Sequence, residues 1–71
     1  MKNGLERREE ILGGVPVLKG TRVPVSRVLC LLALGYSIAD LVEVHYPFLV
    51  PSQVRNALLS LAREVNNDRL P

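Results

Sequence analysis

With one cysteine, Cys30, and one histidine, His45, the chain can close no internal disulfide and assemble no zinc-ligand set of Cys/His spacing. Tryptophan is absent, and aromatic residues make up only 4% of a chain that is 48% hydrophobic, so any core must be filled with Leu and Val. Such a composition suits a compact helical domain. The longest nearly unbroken apolar run, VLCLLALGY at 28–36, falls short of the roughly 20 residues a membrane helix needs. The opening MKNGLERREE is charged and has no apolar signal region, so no membrane partner and a cytoplasmic location are expected. At 71 residues the chain is one small domain, and below roughly 70–80 residues a single core is marginal. With a disulfide and a zinc site set aside, a homodimer is the expected stabiliser.

Acidic and basic residues nearly balance, seven against nine, for a net charge of +2. The basic residues are spread along the chain, which permits nucleic-acid binding without demanding it. Residues 1–10 set Lys2, Arg7 and Arg8 against Glu6, Glu9 and Glu10 with no hydrophobic period, and read as a flexible charged arm preceding a domain at 11–71. Arg7 and Arg8 read as part of a solvated terminus; the alternative is an arm reaching into a DNA minor groove.

The stretch GVPVLKGT, 14–21, lies one transposition away from the phosphate-cradling loop G-x-x-x-x-G-K-[ST]. The likeness fails mechanically. Pro16 removes one of the amides such a loop needs, Lys19 does not open a helix, and the valines at 15, 17, 23 and 25 prefer extended chain. A β-hairpin fits better, with Gly20 supplying the positive φ of its turn and Pro16 and Pro24 requiring strands that are very short or at an edge. Lys19 and Arg22 flank that turn, placed either to touch phosphate or to keep an edge strand from aggregating.

Three helices follow. Val25, Val28, Leu29 and Leu32 share a face and Gly35 is placed to end the first helix, whose other side carries Cys30, Leu31 and Leu34. A helix apolar nearly all round must be covered on both sides. Ser37 and Asp40 form a capping box for the second helix, and Pro47 breaks it, with Phe48 and Leu49 expected to pin the turn to the core. Pro51 suits the first position of the last helix, with Val54, Leu58, Leu61 and Val65 facing inward. The fold class expected is mostly α: a short N-terminal β-hairpin followed by a three-helix homeodomain-like or winged helix-turn-helix unit.

His45 and Cys30 both sit at helical core spacing, and no paired carboxylates or nucleophile-base set stands out, so neither an enzyme nor a cofactor is expected. The candidate site is the polar side of the last helix: Gln53, Asn56, Ser60 and Arg63, with Arg55 alongside. Gln and Asn can pair with adenine bidentately, Arg with guanine, and Ser with a phosphate. Any amphipathic surface helix also shows a polar face, so the pattern alone leaves DNA contact open.

Gly14, Pro16, Gly20, Thr21, Arg22, Val23 and Val25, then Gly35 and Ser37, then Tyr46, Pro47 and Leu49, form a combined pattern over about residues 11–62. In these positions the chain resembles the small bacterial proteins of domain-of-unknown-function family four-thirty-three, an antitoxin-like family often described as VapB-type. The resemblance implies a dimeric helix-turn-helix protein that neutralises a PIN-like ribonuclease toxin and represses its own operon. Val50 stands where that family often has Thr as helix cap, so the helix start is expected to lean on Pro51 and Ser52. The runner-up is a protein-interaction module without DNA affinity.

Overall fold

The computed structural model describes residues 4–67. Two short antiparallel strands, β1 (Leu5–Glu6) and β2 (Val17–Leu18), precede three helices, α1 (Val25–Ala33), α2 (Ile38–Asp40) and α3 (Pro51–Asn67). α2 runs straight into a wider π turn over Leu41–His45. The mostly helical architecture with an N-terminal strand pair is the expected one.

The expected hairpin gains a further strand, β1. β2 lies in the middle: Leu5 opposes Leu18 and Glu6 opposes Val17 on one side, while Val17 bridges Pro24 on the other. The turn at Lys19-Gly20 forms as read, closed by the Thr21 amide donating to the Leu18 carbonyl at 2.9 Å, with Gly20 at φ +79°. What the turn joins is β2 to the run into α1, through the Leu18 amide and Val23 carbonyl at 2.9 Å.

The flexible arm expected over residues 1–10 is corrected by β1. Its residues 1–3 lie outside the described residues, but Leu5 is buried in the core and Gly4 is pressed onto α3. A Cβ on Gly4 would lie 2.6 Å from the Ala57 amide nitrogen and closer still to the Asn56 carbonyl carbon, so only glycine lets the chain pass there. The domain therefore begins before residue 11. Leu5 is the lone apolar residue between Gly4 and Glu10, too little to register as a period.

The core joins Leu5 and Leu18 to Val23, Val25, Val28, Leu41, Leu49, Val54 and Ala57, so both strands, α1, the π turn and α3 contribute, while α2 packs only the partly buried Ile38 against it. α1 closes in a Schellman motif: the Gly35 amide donates to the Leu32 carbonyl and the Tyr36 amide to the Leu31 carbonyl, with Gly35 at φ +105°. The capping box at α2 forms as expected. The Asp40 amide donates to Ser37 Oγ at 3.0 Å, and the Ser37 amide to Asp40 Oδ2 at 2.9 Å. The π turn ends with the Tyr46 amide donating to the Leu41 carbonyl at 2.7 Å, before Tyr46 leaves helical geometry ahead of Pro47. Of the two residues expected to pin the next turn, Leu49 is buried and Phe48 is exposed.

Candidate nucleic-acid interface

α3 begins at Pro51, where the missing N–H costs no helical bond. Its cap is Gln53, whose Oε1 accepts the Val50 amide at 2.9 Å, in the place expected of Ser52. This is the N3 half of a capping box; the reciprocal half does not form because Val50 has no side-chain acceptor to offer. It also alters Gln53 as a base reader: its side-chain oxygen is committed to the cap and the residue is half-buried.

The expected rotation of α3 is off by part of a turn. The buried seam is Val54, Ala57 and Ser60, with Leu58 and Leu61 half-buried beside it and Val65 exposed. Ser60 is thereby removed from the candidate interface. It is buried, and its Oγ accepts the Gly4 amide at 2.7 Å. The physical reason is close approach: Ala57 and Ser60 are small enough for the Gly4 backbone to lie against α3, and the hydroxyl pairs an amide that the helix would otherwise leave orphaned.

The outer side of α3 carries Arg55, Asn56 and Arg63, all exposed as expected, together with Ser52. It also carries Leu59, 57% exposed, one turn from each arginine. Sequence reasoning passed over Leu59, although its spacing of four from both Arg55 and Arg63 places it between them.

Charge is distributed unevenly. No acidic residue occurs from Val44 to Arg63, nor from Ile11 to Ala39. Two of the carboxylates near the N-terminus, Glu6 and Glu10, are engaged within the fold. Glu6 accepts the Gly20 amide at 2.6 Å and lies 3.7 Å from Arg8, which also lies 3.7 Å from Glu10. Arg7 pairs with Glu64 at 3.1 Å. Arg7 and Arg8 thus form ion pairs along the protein surface and both side chains stay part-exposed to solvent. Lys19, Arg22, Arg27, Arg55 and Arg63 are exposed and form no ion pair with another described residue.

The stretch that imitates a phosphate loop thus binds an anion after all, an internal one: the turn amide of Gly20 holds the Glu6 carboxylate. His45 is half-buried, edge-on to Tyr36 with ring centroids 4.7 Å apart. Cys30, expected in the core, is exposed on α1 because the inner side of that helix is taken by Val25 and Val28. Among the described residues no group of three or more His, Cys, Asp or Glu converges as a metal site would require.

The family model described as "Protein of unknown function (DUF433)" matches residues 5–59, from β1 into the middle of α3. The chain belongs to this family. The match starts at Leu5, inside what the sequence suggested was an arm, and so includes β1 in the family unit. The uncharacterized protein y4eO of Sinorhizobium fredii (strain NBRC 101917 / NGR234) is similar, at 42% identity over 57 residues covering 80% of this chain and 24% of that protein. The chain therefore spans about a quarter of the length of the curated relative it matches. No solved structure matches. Among the described residues, no helix of this DUF433 protein is long and apolar enough to cross a membrane.

Proposed function

We propose that this DUF433 protein is a cytoplasmic DNA-binding protein of antitoxin type, acting as a homodimer that represses its own operon and neutralises a PIN-like ribonuclease toxin. The observation that carries the DNA part is the outer side of α3. Arg55, Asn56 and Arg63 project from a helix held on its opposite side, and neither arginine pairs with another described residue. The carboxylate next in sequence, Glu64, is held by Arg7. An arginine already paired with a carboxylate would have to give up that bond to reach a phosphate; among the described residues these have no such partner.

In this reading Arg55 and Arg63 supply phosphate or guanine contacts and Asn56 reads adenine, while Lys19, Arg22 and Arg27 add charge elsewhere on the surface. Ser60 and the Gln53 side-chain oxygen play no part. The mechanism contains no bond-making chemistry: phosphate contacts position the helix, and base edges in the major groove select the site. The antitoxin part rests on the resemblance of the strand-turn and Tyr-Pro motifs to VapB-type proteins.

The experiment is binding of the full chain to the DNA upstream of its own gene, followed across salt concentration. Binding at low salt that weakens steeply as salt rises supports the reading; no binding at low salt overturns it. Co-expression with the neighbouring gene product tests the toxin part, through restored growth and joint purification. A second reading, a protein-interaction module without DNA affinity, is favoured by Leu59, an exposed apolar side chain in the middle of the α3 face.

A further inference from the structure

α1 has an inner and an outer side, and among the described residues only the inner one is covered. Val25 and Val28 are buried, whereas Leu29, Cys30, Ala33 and Leu34 are exposed. The apolar surface continues past the Gly35 cap. Tyr36 stacks edge-on against His45, His45 approaches Tyr46 with centroids 6.4 Å apart, and Tyr46 approaches Phe48 at 6.1 Å. All three Phe and Tyr residues of the chain and its single histidine thus gather at one end of α1.

We infer that this strip, from Leu29 through Leu34 and Tyr36 to Phe48, is the surface on which a second copy of the chain docks. The inference rests on the homodimer part of the function proposed above and is independent of DNA binding.

Charge is the first reason for naming a second copy as the occupant. A two-fold interface brings each residue near its own mate or its mate's neighbours, so a patch of one sign repels itself. The segment Val28–Ala39 contains no Asp, Glu, Lys or Arg, and neither does Val44–Val54. The basic outer side of α3 would repel its own image; this strip would not.

Area is the second reason. Leu29, Leu34, Tyr36 and Phe48 are 40% to 76% exposed, and with Cys30 and Ala33 they offer on the order of 600 Å² per copy, close to the about 800 Å² per partner of a standard interface. The fold also needs the cover. Its core is built from side chains no larger than Leu and Ile, in a chain of a length where one core alone is marginal.

A two-fold axis near Leu34, the middle of the strip, sets Cys30 one helical turn away and roughly 12 Å from its mate. The single cysteine then serves as the reporter. Treatment of the full chain with a bismaleimide carrying a hexane spacer is expected to yield a covalent dimer, and Cys30→Ser to abolish it. Sedimentation equilibrium is expected to give a dimer for the wild type. Leu34→Glu and Phe48→Glu, which set two buried carboxylates face to face, should each weaken dimerisation by at least about 100-fold.

A wild-type chain that sediments as a monomer at about 100 µM overturns both the homodimer and its surface. A dimer that survives both Glu substitutions, or that is not cross-linked through Cys30, overturns the surface alone. If a Glu variant fails to fold, the wild-type cross-link decides. DNA binding is read separately, by the arginine variants.

Discussion

α1 and α3 press their inner sides into one core, yet their outer sides have little in common. α1 turns outward Leu29, Cys30, Ala33 and Leu34; α3 turns outward Ser52, Arg55, Asn56, Leu59 and Arg63. Neither surface is covered by another described residue's packing into the core, and their chemistry separates the partners they suit. A neutral apolar strip gains by excluding water and can face its own copy, whereas unpaired guanidinium groups gain by meeting phosphate. Leu59 is where the contrast blurs, since it puts an apolar side chain inside the cationic face.

If the inner sides carry the stability and the outer sides carry the binding, the two classes of substitution must separate. The largest loss is expected from Leu41→Ala, which opens a cavity in the core that α1 and α3 share: about 2–5 kcal/mol, read from urea unfolding. A smaller value would mean that the core collapses around the site and that the helices are less firmly held than their burial indicates. Next is the grip of β1 on α3. Ser60→Ala leaves the Gly4 amide buried without an acceptor and should cost about 1–3 kcal/mol, while Ser52→Ala, on the outer side of the same helix, should stay within about 0.5 kcal/mol. Equal losses at the two serines would erase the distinction between inner and outer sides. Ser37→Ala removes one half of the α2 capping box at a cost of about 0.5–2 kcal/mol, and leaves both outer surfaces unaltered.

The serine pair also marks how far sequence reading reaches. Local devices were legible because each is a short pattern with its own mechanics: the Gly20 turn, the Gly35 cap, the Ser37-Asp40 box and Pro51 at the start of α3. Pairings between distant segments were not. Nothing near Ser60 says that Gly4, 56 residues earlier, lies across it. The inward stripe of α3 is accordingly read from Val54 and the larger Leu58, Leu61 and Val65, whereas from Val54 the seam runs on through Ala57 and Ser60. Small residues mark a close backbone approach as surely as large ones mark a core, but only the partner reveals which is meant. The same limit hid β1, whose two residues become a strand only against β2. Of the five candidate site residues, Arg55, Asn56 and Arg63 remain on one exposed face, Ser60 is buried, and Gln53 is bound to the helix cap.

The smallest effect on stability is expected at the residues proposed to contact DNA. Arg55→Ala with Arg63→Ala should shift unfolding by no more than about 0.5 kcal/mol per site, since neither pairs with another described residue. DNA binding by the outer side of α3 is tested most directly by a fluorescence-anisotropy titration of labelled upstream DNA at several salt concentrations, run on the wild type and this double variant. The prediction is salt-dependent binding by the wild type. In the variant, binding weakens and the slope of log K against log salt falls by about one for each arginine–phosphate pairing removed. An unchanged slope and affinity in the folded double variant, or a wild type that does not bind at low salt, would contradict it.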